Sequence, residues 1–264
     1  MIMSRGYFTV PKLSSRVWKV WSRNRSVFMK TWRVNFFPPF VEPLLYLFAL
    51  GFGLGRYIEL IEGMSYPRFI APALIAISIM NSAFFECTYG SYVRMYYQKT
   101  FDAIIATPLS IEEVITGELL WGATRSLIYA TIMLPVIAAF GLIELPDSLL
   151  IIPFAFLAGF LFAAIGMCFT AITPNINALN YPAFLFITPM FLFSGTFFPL
   201  ELLPQPLQYF ALAALPLTHV VGITRSLTLA EPSGFFVLHL VWICVVSLVL
   251  FVLAVNLMRR RLIV

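Results

Sequence analysis

Three ionisable residues stand inside long apolar runs: Glu42, Glu86 and Arg125. A charge inside hydrocarbon is expensive, so such residues either pair with one another or line a path for ions, protons or polar cargo. Glu42 and Arg125 fall near the start of their runs, and Glu86 falls near the end of its own. All three therefore lie at a similar depth toward one side of a membrane, where Arg125 is expected to pair with one or both carboxylates. A salt bridge holding three helices together fits these residues, and so does a proton relay or a polar lining for a substrate. Other reactive types offer less. Cys87, Cys168 and Cys244 lie in apolar segments without metal-ligand spacing and read as small packing residues. His219 and His239 have no Cys, His or acidic neighbour at ligand spacing, so no metal site is expected. The chain has no G-x-S-x-G elbow and no H-E-x-x-H, and the Gly-Lys dipeptide of a P-loop is absent. Neither a catalytic centre nor a cofactor site is expected, and nothing here cradles ATP phosphates.

Those residues need elements that place them in a bilayer. Of the 264 residues, 61% are hydrophobic and 11% charged, against roughly 45–50% and 25% in soluble domains. Mean hydropathy is +0.92. Six apolar runs, at 37–55, 69–90, 119–141, 149–172, 182–199 and 237–257, approach the ~20 residues that a membrane-crossing helix needs. An all-α membrane protein with six transmembrane helices is expected. Lys and Arg cluster at both ends: eight in the first 36 positions, then Arg259, Arg260 and Arg261. With both termini in the cytoplasm, inner segments hold 13 Lys and Arg and outer segments three, Arg56, Arg68 and Arg225. The positive-inside rule favours that orientation. Basic stretches flanking apolar spans point to lipid headgroups, and no nucleic-acid partner is expected.

Residues 13–32 predict an interfacial amphipathic helix. Leu13, Val17, Val20, Trp21, Phe28 and Trp32 recur at three- and four-residue steps, with Arg16, Lys19, Arg23 and Lys30 elsewhere on the wheel. Between runs five and six, Pro199, Pro204, Pro206, Pro216 and Pro232 interrupt an apolar stretch. The Pro-free piece Leu207–Leu215 would be only about 14 Å long, too short for a core of about 30 Å. Residues 200–232 are therefore expected to form a re-entrant helical hairpin on the outer side, an extra pair of tilted spans being the alternative. Ala155, Gly159, Ala163, Met167 and Ala171 form a small-residue register suited to close helix packing, within the chain first and as a dimer seam second.

Residues 97–113 are the one substantial cytoplasmic loop. Thr100–Thr107 suits a short amphipathic helix, with Thr100 as a cap and Pro108 as its stop. Phe101, Ile104 and Ile105 give it an apolar face too exposed for a plain linker. Docking of a cytoplasmic partner explains that face, and so does rest on the membrane surface.

From this loop outward the chain resembles the permease subunits of ABC-2 type exporters, in the branch containing the nodulation protein NodJ, whose members export lipo-oligosaccharides. The resemblance is carried by Glu42-Pro43-Leu44-Leu45-Tyr46 through Gly51-Phe52-Gly53-Leu54-Gly55 and by Phe85-Glu86-Cys87-Thr88-Tyr89 into Lys99-Thr100-Phe101-Asp102-Ala103-Ile104. Ala106-Thr107-Pro108-Leu109-Ser110, Gly117-Glu118-Leu119 and the late run Leu192-Phe193-Ser194-Gly195-Thr196-Phe197-Phe198-Pro199 continue it, with Leu215-Pro216-Leu217-Thr218-His219 following. It implies a single transmembrane domain over residues 1–264 in the bacterial inner membrane, pairing as a homodimer with two copies of a separate ABC ATPase that holds ATP and magnesium. It also implies that Lys99, Thr100, Phe101, Asp102, Ala103, Ile104, Ile105, Ala106, Thr107 and Pro108 form the coupling helix. Run five is aromatic, with Phe184, Phe186, Phe191, Phe193, Phe197 and Phe198. These rings would stack on sugars or meet acyl chains along a translocation path, or simply fill a lipid-facing helix. A proton-coupled transporter working without an ATPase, with Glu86 or Glu42 as carrier, is the rival reading. A membrane-embedded enzyme has no nucleophile–base pair to support it.

Overall fold

The computed structural model describes residues 11, 13–36, 38–61, 63–229 and 234–263, with side chains except at 34–40. Arg5, Lys12, residue 37 at the start of the first expected span, and Pro232 at the end of the expected hairpin lie outside them. Among the described residues the chain is helical, without a strand.

Helix α1 (Val17–Phe36) leads into α2 (Pro38–Tyr46), which loosens into a π-helical stretch, Leu47–Gly53, and a 3₁₀ turn, Leu54–Arg56. Next, α3 (Tyr66–Phe85) runs on through π-helical Glu86–Gly90 and Val93–Tyr97. A short α4 (Thr100–Ile105) precedes α5 (Ile111–Ala139) and α6 (Ile151–Ile172). Then α7 (Asn180–Pro182) passes through π-helical Ala183–Ile187 into α8 (Thr188–Phe193). After it come α9 (Gln205–Ala214), α10 (Pro216–Thr228) and α11 (Phe236–Leu262).

Five helical runs are long and apolar enough to cross a membrane: Tyr66–Tyr97, Ile111–Ala139, Asp147–Ile172, Ile176–Phe193 and Phe236–Leu262. They coincide with five of the six expected spans. The first expected span, 37–55, is not among those runs; residue 37 lies outside the described residues, and from Pro38 the chain is helical through α2 and the π and 3₁₀ turns up to Arg56. A sixth passes only if α9 and α10 count as one span, and they are bent by 87°. That bend fits the proline spacing, since Pro216 at the start of α10 cannot continue α9. At 13 residues, α10 is longer than the Leu207–Leu215 piece singled out above. It is still only about 20 Å long at 1.5 Å per residue.

Glycine sets how closely the helices approach. A Cβ on Gly117 of α5 would lie 2.5 Å from Val20 Cβ of α1, and one on Gly159 of α6 would lie 2.5 Å from Ser126 Cβ of α5. Gly166 rests against the Phe84 carbonyl, and Gly122 against Cys87 and Ala163. Ala155, Gly159, Ala163 and Met167 are thus spent on packing within the chain, where backbones can close up. The run Tyr66–Tyr97 occupies the centre of the bundle, while most of Phe236–Leu262 is uncovered.

Helix α1 packs its Val17 and Val20 on α5, and Trp18 and Trp32 remain exposed. It begins four residues later than the expected 13–32 helix.

Candidate functional site

The polar chemistry gathers at the end of the bundle that carries α1, α4 and the C-terminus of α11. Glu118 of α5 is 1% exposed and is the hub. Its carboxylate accepts from Asn24 Nδ2 at 2.6 Å, Ser91 Oγ at 2.8 Å, and Arg94 Nε and Nη2 at 2.9 and 2.5 Å. Arg94 also reaches back to Glu86, with Nη1 2.8 Å from Oε1. The other Glu86 oxygen is taken by Arg125, whose Nη2 donates to Tyr129 at 2.8 Å and whose guanidinium stands over the Phe28 ring. On the outward side Arg23 donates to Asn24 Oδ1 at 2.9 Å and to Thr100 Oγ1 at 3.3 Å. The result is one polar ladder, Thr100–Arg23–Asn24–Glu118–Arg94–Glu86–Arg125–Tyr129, from the loop helix into the bundle. Buried charges at this density persist only when each is paired and hydrogen-bonded.

Local structure explains how the ladder is held. Helix α3 turns π-helical at Glu86, and the wider turn re-aims its side chains relative to a continuous α-helix; such bulges favour functional sites. Ser110 and Glu113 form a reciprocal capping box at the start of α5 (2.8 and 3.2 Å), which fixes where the loop ends. Ser14 donates to the same Glu113, and Arg16 donates to the Pro108 carbonyl, so the chain entering α1 is bolted to the loop. Trp21 Nε1 adds a bond to Thr124 of α5 at 2.8 Å. Arg259 pairs with Glu112 at 3.2 Å, and Arg261 donates to the Thr170 and Thr173 carbonyls at the end of α6, where a cation suits the helix dipole.

The expected site residues divide. Glu86 and Arg125 meet, as their depth suggested. Glu42 is exposed on α2 and takes no part in the ladder: similar depth along a helix does not fix which way a side chain points. Arg94 and Glu118, absent from the expected cluster, are its centre. Both fall just outside the apolar runs 69–90 and 119–141 and so read from sequence as flanking charges. Arg23, expected among lipid phosphates, turns inward instead.

Helix α4 forms, but Phe101 is fully buried, and Ile104 and Ile105 are half-buried against the core. The apolar face expected to be exposed is therefore largely used internally. What faces out is Tyr96, Tyr97, Lys99, Asp102, Ala103 and the Ala106–Pro108 turn. Thr100 is not the cap: Lys99 holds that position in the left-handed region (φ 52°). Of the aromatics, Phe184 is exposed, while Phe186, Phe191 and Phe193 pack against the core. Phe191 meets Phe197 edge-on at 4.8 Å and Tyr46 at 5.5 Å. Phe198 is half-buried.

The two histidines that look isolated in sequence touch, their Nδ1 atoms 2.8 Å apart. Among the described residues no group of three His, Cys, Asp or Glu could hold a metal ion.

Residues 15–229 match the family model described as ABC-2 type transporter. The chain is 35% identical over 243 residues to nodulation protein J of Sinorhizobium fredii NGR234, covering 92% of each chain. It is 34% identical over 257 residues to nodulation protein J of Rhizobium leguminosarum bv. viciae, covering 97% of this chain and 99% of that one. To the inner membrane transport permease YadH of Escherichia coli K12 the identity is 26%, over 84% of this chain and 75% of the relative. With apolar helices enough for a multi-pass membrane protein and a match over most of its length, the chain belongs to the ABC-2 type transporter family.

Proposed function

We propose that this chain is the membrane-spanning permease subunit of an ABC exporter in the bacterial inner membrane, moving an amphipathic or glycan- or lipid-type molecule, or a drug. Two copies pair with two copies of an ATP-binding subunit, and ATP with magnesium belongs to that partner. Both termini and the 97–113 loop lie in the cytoplasm, α1 rests at the inner membrane surface, and α9 and α10 form a re-entrant hairpin outside.

The observation that carries the reading is the polar ladder from Thr100 through Glu118 to Arg125. A push on α4 is borne by charge-paired groups spanning α1, α3 and α5, so these move together as a body. The outward surface of α4, with Lys99 and Asp102 3.7 Å apart, is the part available to the ATPase. The proton-coupled alternative is weaker, because both oxygens of Glu86 are engaged by guanidiniums and Glu42 stands apart.

The test uses the exposed surface and leaves Phe101 alone, since changing that buried ring would disturb the loop itself. Asp102→Arg with Ala106→Glu should abolish co-purification with the ATP-binding subunit and ATP-driven export in vesicles. Leu202→Asp, exposed at the other end, should leave both intact. Unaltered association in the loop variant, or transport by the chain alone that a protonophore abolishes, would sink the assignment.

A further inference from the structure

At the ladder end of the bundle a cavity of about 390 Å³ opens beside α1. One face of α1, from Arg23 to Thr31, forms one wall. The π-helical continuation of α3, from Glu86 to Gln98, forms another, and Trp121 and Arg125 of α5 complete it.

The lining carries three guanidiniums, Arg23, Arg94 and Arg125, against one carboxylate, Glu86. Glu86 presents no open charge, since Arg94 holds one of its oxygens and Arg125 the other. The side chains of both arginines remain 13% accessible. Glu118, the other carboxylate on Arg94, is closed off behind them. Three cations against two carboxylates leave one positive charge in excess.

That excess sits on Arg23. It is half-buried, and among the described residues its hydrogen bonds go to neutral oxygens, Asn24 Oδ1 at 2.9 Å and Thr100 Oγ1 at 3.3 Å. Those two bonds use two of the five N–H groups of a guanidinium. A cation held in a cavity with donors to spare favours an anion with several acceptor oxygens. Arginine suits phosphate in particular, because its planar fork can give two parallel bonds to one group.

The rest of the lining says what the phosphate is attached to. Val27 is an exposed apolar side chain, and the Phe28 and Trp121 rings also line the space. Along the same helix Trp18, Met29 and Trp32 are exposed, as on a helix lying at the acyl boundary of a bilayer. A soluble anion would meet the guanidiniums and gain nothing from Val27 or Phe28. A phosphodiester carrying glycerol and acyl chains gains from both, and basic pockets between membrane helices suit such head groups.

We propose that this cavity holds the phosphate of an anionic glycerophospholipid, with Arg23 as its main partner and Arg94 and Arg125 as further donors. The lipid stays with the protein, tying α1 to α3 and α5, and is not the transported molecule. Only its leaflet depends on the orientation proposed above. Binding needs neither ATPase nor cargo, and a nanodisc offers both leaflets, so the two readings fail separately.

The purified full chain is placed in phosphatidylcholine nanodiscs with phosphatidylglycerol as the probe, and retained lipid is read by native mass spectrometry. Wild type should retain phosphatidylglycerol preferentially. Arg23→Gln removes the surplus charge but keeps an amide near Asn24 and Thr100. It should hold the probe roughly tenfold more weakly, the loss of one charge-assisted hydrogen bond. Gln98→Glu changes an exposed lining residue outside the ladder. It should weaken retention by repulsion, with an unchanged melting temperature. Arg33→Gln removes an exposed cation elsewhere on α1 and should retain the probe as wild type does. Equal retention by wild type, Arg23→Gln and Gln98→Glu overturns the site. An equal loss in Arg33→Gln overturns it too, by reducing the effect to general surface charge. So does displacement of the probe by inorganic phosphate, which would make the ligand a soluble anion.

Discussion

Glu118 and Glu42 make opposite cases at the scale of single residues. Glu118 accepts four hydrogen bonds in a fully enclosed place, so Glu118→Ala leaves Arg94 with one carboxylate and takes away the acceptor of Asn24 Nδ2 and the shorter of the two acceptors of Ser91 Oγ. Breaking a buried pair from one side costs about 3–5 kcal/mol, and thermal melting in detergent should fall by many degrees. Glu42→Ala removes an exposed side chain and should stay within about 0.5 kcal/mol of wild type. The Glu86–Arg125 contact can be isolated by a double-mutant cycle with Glu86→Gln and Arg125→Leu. A coupling of about 1–3 kcal/mol is expected; additive losses would mean that the two groups stabilise the protein independently.

Among the elements, the α1–α5 contact and the start of α5 decide how the loop is held. Gly117 allows α1 to lie directly on α5, with Val20 2.5 Å from where a Cβ would stand and the Val17 carbonyl 3.1 Å away. Gly117→Ala should therefore cost about 1–3 kcal/mol as overpacking, and it should raise proteolytic cleavage within α1 before elsewhere. Cleavage no faster than in wild type would show that α1 can shift without loss. Ser110→Ala removes half of the capping box and should cost about 1 kcal/mol. Helix α4, by contrast, is six residues long and cannot stand alone. It is held by Phe101 below it and by Arg23 on Thr100.

Orientation is the question for the whole molecule, because the fold is the same whichever end faces the cytoplasm. The Lys and Arg distribution argues for α1, α4 and the Arg259–Arg261 end inside. With Cys87, Cys168 and Cys244 replaced by Ala, a single Tyr57→Cys should react with a membrane-impermeant maleimide from outside intact spheroplasts. Tyr57 is 88% exposed. Thr107→Cys should react only after the membrane is opened. The reverse pattern would invert the topology.

Composition and run length by themselves determined that this is a helical membrane protein and located five helical runs long and apolar enough to cross a bilayer, because hydrocarbon demands about 20 apolar residues whatever the fold. Proline spacing likewise announced the broken helix pair, since the missing N–H acts locally. The sequence also pointed to Glu86 and Arg125, whose charges stand out inside apolar runs. It could not identify Arg94 and Glu118 as the hub, set Glu42 aside, bury Phe101, or bring His219 against His239 across 20 residues. Those outcomes depend on the rotation of one helix against another, which is set by where glycines such as Gly117 and Gly159 let backbones close. A charge or an aromatic ring signals its cost along the chain, but its partner is chosen only when the helices pack.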